Sequence, residues 1–229
     1  MNFAGVKSIT IPEGDVKSIA VGGVTVWEKL PYDAEIEYLE STGTQYVDTG
    51  IVPAPTTRLD LDFMPENNGV RVFGSDDLRG GVVRRFWVAV GGNGTNLSYN
   101  ASTSASNIVA TNGGVSILGI RTYIIAAGKS FTAFGSTQTN SSWTIATDNS
   151  SSVGLFAGHR ILADGSDAWI LPATMRLYSC AIYDGSTLIR SFVPVRVGQV
   201  GYLFDRVSGQ LFGNAGTGDF VLGPDKNGG

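Results

Sequence analysis

The stretch TRLDLDF, residues 57–63, alternates apolar and polar side chains without a break, and the same two-residue period returns in short runs almost to the end of the chain. Successive side chains of a strand point to opposite faces, so this period puts Leu59, Leu61 and Phe63 on one face and Asp60 and Asp62 on the other. RRFWVAVGG, VSILGIRTYIIAAGK, FTAFGS, SVGLFAG, MRLYSCAIYDGSTLIRSFVPV and GYLFDRVSGQLFG follow in the same manner, which predicts about a dozen strands. Long helices have no place in such a pattern. The 31 glycines and the charged fraction of only 16% suit many short strands joined by tight turns.

Punctuation supports an antiparallel arrangement. Asp184-Gly185 and Ser208-Gly209 each stand between runs of β-formers and predict hairpins. Residues 91–114 are poor in apolar side chains and rich in Gly, Asn, Ser and Thr, which predicts long loops around weak edge strands. Five Asn-x-Ser/Thr triplets, at Asn93, Asn96, Asn100, Asn140 and Asn149, fall in such polar stretches and read as turn composition. At the N-terminus Val-Lys-Ser-Ile occurs twice, ten positions apart, with PEGD between, and Gly22-Gly23 then leads into VTVWE. This predicts a small β-hairpin module over residues 1–29, too small to bury much alone and suited to attachment, followed after Pro31 by one main domain over residues 30–229.

Composition removes several function classes. A net charge of -4 and no basic cluster make nucleic acid and anionic membrane poor partners. No apolar stretch approaches the roughly 20 residues of a membrane span, and MNFAGVKS lacks the basic and apolar regions of an export signal. The expectation is a soluble chain made in a cytoplasm without an N-terminal signal. Cys180, the only cysteine, lies in an apolar run and reads as a buried small hydrophobe, with no internal disulfide or multi-thiolate metal site.

LPYDAEIEYLESTGTQYVDTGI, then GLFAGHRI, then MRLYSCAIYDGSTLIRSFVPVRVGQVGYLFDRVSGQLFGNAGTGDF resemble, in that order, the concanavalin A-like (laminin-G-like) jelly-roll domains of bacteriophage and prophage structural proteins. VKSITIPEGDVKSIAVGGVTVWEK is similar to the short modules that precede such domains in tail, baseplate or fibre proteins. The resemblance implies two packed antiparallel sheets in a virion-associated, non-enzymatic protein. It also implies contact with other virion proteins through residues 1–29, homo-oligomerisation, and binding of host-surface glycans. Fold alone does not assign function, and a purely structural assembly or capsid decoration role stays open beside adhesion.

Candidate chemistry is sparse. Glu35 and Glu37 in AEIEYLE sit two apart, as paired glycosidase carboxylates do, but the strand period sends them outward and Ile36 and Tyr38 to the core. The same holds for Asp60 and Asp62, and a polysaccharide-degrading enzyme ranks last. GNAGTG lacks the following Lys-Ser/Thr of a phosphate loop and reads as a series of turns. Sugar recognition needs flat aromatic faces and orienting polar groups. Trp143, Trp169 and Tyr99 beside polar loops, with His159 and Arg160, form the expected ligand-binding set, whereas Trp87 alternates with core positions. His159, the only histidine, is expected at the surface where a strand passes into a polar loop. Asp164 and Asp167 are the candidate Ca²⁺ ligands, although an Asp-Gly-Ser-Asp turn supplies the same residues with no cofactor at all.

Overall fold

The structure, a computed structural model, describes residues 30–226 together with the backbone of two earlier strands. The chain divides into two compact units, Met1–Pro31 and Tyr32–Gly229. In the first, β1 (Ser18–Val21) pairs antiparallel with β2 (Val24–Glu28), Val21 standing opposite Val24. The strand expected over GVKSITI lies outside the described residues.

The second unit is a two-sheet sandwich. Its strands are β3 (Ala34–Glu35), β4 (Leu39–Thr42), β5 (Val47–Asp48), β6 (Thr57–Pro65), β7 (Arg71–Asp77), β8 (Arg84–Val90) and β9 (Asn96–Asn100). Next come β10 (Ile108–Thr111), β11 (Thr122–Ala127), β12 (Ser130–Ala133), β13 (Ser136–Thr139), β14 (Gly154–Leu155), β15 (Gly158–Ile161) and β16 (Asp167–Ile170). The chain closes with β17 (Thr174–Asp184), β18 (Thr187–Val197), β19 (Val200–Asp205), β20 (Gln210–Phe212) and β21 (Val221–Leu222). A single 3₁₀ turn, Arg79–Gly81, is the only helical element among the described residues.

The larger sheet runs β13-β12-β11-β6-β17-β18-β19-β20, with β3, β4 and β21 along its flank. The smaller runs β10-β9-β8-β7-β14-β5, with β15 paired to β7 and β16 to β15. All pairings are antiparallel except that of β7 with β15. The exception arises because the chain reverses between β14 and β15, with Phe156 at φ 68, so that Gly154 and Gly158 both pair with Gly74. The crossing is tight: a Cβ on Gly74 would lie 3.2 Å from Gly158 Cα, so the neighbouring strand would have to give way.

The period-two reading places the core. Leu59, Leu61 and Phe63 are fully buried, facing Val72, Phe73, Val88 and Tyr99 from the smaller sheet. Cys180 is buried as expected, and burial pushes its thiol pKa well up, which makes it inert. Residues 91–114 carry β9 and β10 at the edge of the smaller sheet. In the first predicted hairpin Asp184 pairs with Thr187, so the turn residues are Gly185, at φ 58, and Ser186. In the second, Asp205 pairs with Gln210 across a longer loop.

Four of the five Asn-x-Ser/Thr triplets acquire a physical reason, while the fifth, at Asn96, opens β9 and is not a turn. Asn93, Asn100, Asn140 and Asn149 each accept, through Oδ1, the backbone N–H two residues on, which is an Asx turn closed by the triplet's own Ser or Thr. One expectation fails at the start of the domain: Tyr38 does not share the core with Ile36. The strand breaks at Glu37, Leu39 takes the inner position, and Tyr38 turns its ring onto Tyr178.

Candidate binding face

The aromatic set expected from sequence does not form a platform. Tyr99 is fully buried, its hydroxyl donating to the Gly128 carbonyl at 2.8 Å and its ring stacked on Phe131. Trp143 packs beside it at 5.7 Å with its indole N–H on Ser106 Oγ. Both are core residues because loops rich in Ser and Asn still need an apolar anchor under them. Trp169 is half-buried, but Tyr46 stacks on it at 4.0 Å and 19°, and His159 at 4.7 Å and 15°. Two near-parallel rings so close to one centroid have no room side by side, so they take opposite faces and leave none for a ligand. Gly154 permits the stack, since a Cβ there would overlap the indole.

His159 lies in β15 opposite Trp169 and is buried, contrary to the surface placement expected. Its Nδ1 meets Ser152 Oγ at 2.9 Å and its Nε2 meets Asp167 Oδ1 at 3.3 Å. Arg160 points to the other face and holds Asp76 at 2.7 Å. Asp164 Oδ1 closes its own turn, accepting from Ser166 N and Oγ. With Asp167 engaged by His159, the two carboxylates do not form a calcium cage, and no group of three potential metal-ligating side chains occurs among the described residues.

Three of the four paired acids are held by arginines. Glu35 accepts from Arg206 Nη2 at 2.7 Å and from the Tyr32 hydroxyl at 3.2 Å. Burial alone would push its pKa up, but Arg206 and Tyr32 outweigh this and hold it below the usual carboxylate value. Glu37 is exposed. Asp60 is clamped by Arg58 Nε and Nη2 at 2.7 and 2.6 Å, and Asp62 by Arg121 at 2.9 and 2.7 Å. A hydrogen bond to its aspartate, ahead of the opposing effect of burial, raises the pKa of each of these arginines. Carboxylates locked in bidentate pairs serve as fixed acceptors better than as proton carriers.

These pairs belong to an aromatic surface that the sequence reading did not single out. On the outer face of the larger sheet, Arg58 lies 5.0 Å over the Tyr183 ring, Arg121 3.8 Å over Tyr178, and Arg176 4.5 Å over Tyr38. Cation and ring hold each other flat against the sheet. Tyr178 reaches this face through a β-bulge: Leu177 pairs with Phe63 and Ser179 with Asp62, leaving the extra residue to turn outward.

Two hollows cross this surface. One, of about 440 Å³, is lined by Asn112, Ile120, Tyr123, Thr132 and Phe134. The other, of about 260 Å³, is lined by Asp60, Tyr123, Ser179, Tyr183, Ser191 and Arg206. Tyr123 stands between them and lines both, 54% exposed. A signal for it was present in the sequence: in RTYIIAA the outward positions of the strand period carry Arg121 and Tyr123, and Tyr123 stands directly across from Asp62. No family model and no curated protein matches the chain.

Proposed function

We propose that the protein is a non-enzymatic, virion-associated subunit that binds host-surface carbohydrate across the outer face of its larger sheet. Tyr123 carries the reading: an exposed aromatic ring between two hollows offers a flat face for sugar C–H groups, and Asp60, Ser179, Ser191 and Arg206, all around the smaller hollow, supply orienting hydrogen bonds. The virion setting is supported by the resemblance of residues 30–223 to phage jelly-roll domains and of the leading module to phage attachment segments. Single sites of this open kind bind weakly, and repetition around a particle supplies avidity. Oligomerised protein tested against a panel of bacterial surface polysaccharides gives a saccharide-dependent signal that free oligosaccharide competes away. Absence of signal across the panel removes the reading.

One observation favours a second reading, assembly without glycan. Tyr and Arg are the residue types that dominate protein interfaces, and the Tyr–Arg rows of this face present both. A stable oligomer in which Tyr123 becomes protected from solvent would select it.

A further inference from the structure

Among the described residues, the buried side-chain polar atoms that lack any hydrogen-bond partner are four: Arg71 Nε, Arg71 Nη1, Asp76 Oδ1 and Trp87 Nε1. They belong to one cluster on the outer face of the smaller sheet. Buried polar side-chain atoms are overwhelmingly paired in native proteins, so four orphans in one place call for a cause.

Register brings them together. β7 turns Arg71, Gly74 and Asp76 outward, and β8 sets Trp87 opposite Gly74 and Arg85 opposite Asp76. On the other side β15 sets Gly158 beside Gly74 and Arg160 beside Asp76. The glycines leave room for the Arg71 stem, whose Cγ would lie 3.2 Å from a Cβ on Gly158, and its guanidinium lies 3.6 Å over the Trp87 ring. Arg71 and Trp87 are 7% exposed and Asp76 3%.

The charges do not balance. Asp76 Oδ2 accepts from Arg160 Nη2 at 2.7 Å and Nε at 3.2 Å, and stands 3.5 Å from Arg71 Nη2. Arg85 spends Nη1 on the Ser104 carbonyl. Three guanidinium groups thus face one carboxylate, in a chain whose net charge is -4. Burial first, and then repulsion from Arg160 and Arg85, outweigh Asp76 and lower the Arg71 pKa to about 10. An anion bound among these groups would pair the free donors and offset the excess charge.

We infer that this cluster recognises the carboxylate of an acidic sugar. Arg71 Nε, Arg71 Nη1 and Trp87 Nε1 are three donors for the carboxylate oxygens, and Asp76 Oδ1 accepts from a sugar hydroxyl. Entry is from the Arg160 side, where that side chain is 30% exposed, and it requires the side chains of the cluster to move apart, because all four unpaired atoms are covered. The inference rests on the saccharide reading above only for the body that carries the carboxylate; the site is separate from the Tyr123 face.

The test follows the Trp87 indole N–H in ¹H–¹⁵N spectra of the full chain, assigned with Trp87→Phe, during titration with sodium glucuronate, glucose and sodium acetate. Glucuronate shifts the resonance saturably, and glucose and acetate act at least about tenfold more weakly, the scale of one charge-assisted hydrogen bond. Arg71→Gln removes the response. Should that variant fail to fold, Arg160→Gln, changed at the exposed rim, weakens it instead. A Trp87 signal that ignores glucuronate, answers glucose or acetate equally, or responds unchanged in the folded variants overturns the inference. Binding of neutral glycans through Tyr123 alongside a silent Trp87 defeats this inference alone. A Trp87 response in a protein that captures no surface polysaccharide defeats the proposed function alone.

Discussion

The Tyr123 hydroxyl donates to Asp60 Oδ2 at 3.1 Å from a neighbouring strand, while Arg58 grips both oxygens of the same carboxylate. The most exposed ring of the candidate face is therefore fixed at its tip, so little conformational entropy is lost when a ligand settles on it. Tyr123→Phe keeps the ring and is expected to hold affinity within about threefold, because one solvent-accessible hydrogen bond contributes little net. Unfolding in urea should move by less than about 1 kcal/mol for this surface change. A large stability loss would mean that the hydroxyl anchors the sheet and that the ring is structural.

Trp143 gives the opposite expectation. Its indole is 2% exposed and packs on Tyr99, so Trp143→Ala leaves a cavity and costs about 3–5 kcal/mol in urea unfolding. Saccharide binding by the remaining folded fraction stays unchanged. A binding defect without a stability defect would return Trp143 to the ligand set.

The Trp169 stack has its own probe in Gly154→Ala. The added methyl overlaps the indole and also meets the Ala157 carbonyl, which forces a shift costing about 1–3 kcal/mol. Ring-current shifts at Tyr46 and His159 should change with it, and unchanged shifts would show that the three rings do not form one stack.

Acid stability reports on Asp205, fully buried at the β19–β20 hairpin. Burial alone would push its carboxyl up, but hydrogen bonds from Ser191 N, Val207 N, Ser208 N and Ser208 Oγ outweigh that and hold its pKa below the usual value. A carboxyl with a depressed folded-state pKa contributes stability that is complete above its unfolded value, about 3.9, and lost as pH falls through the folded one. Urea midpoints should be flat from neutral pH down to about 5 and fall below about 4. Asp205→Asn should lower the neutral midpoint and flatten the acid limb; an acid limb of unchanged slope would place the linkage elsewhere.

Much of this fold was legible because burial on one face writes itself into a strand with period two. TRLDLDF gave its inner and outer faces directly, and Leu59, Leu61 and Phe63 take the places that period assigns. The site was less legible for reasons of the same kind. Tyr178 reaches the outer face only through a bulge, which shifts the phase by one residue and leaves no mark in composition. Trp143 and Tyr99 stand among Ser and Asn in sequence, yet the chain folds those polar loops over them. Trp169, with His159 stacked on it from the neighbouring strand, is brought against Tyr46 by a tertiary contact more than a hundred residues apart, which no local pattern records.

The central claim is that ligand lies across Tyr123, and Tyr123→Ala measured against the wild-type chain on the best polysaccharide of the panel tests it most directly. Loss of the ring is expected to weaken monovalent binding about tenfold, or roughly 1.4 kcal/mol, with far-ultraviolet circular dichroism and urea midpoint preserved. Equal affinity for the two proteins would contradict the account and move the binding surface off the larger sheet.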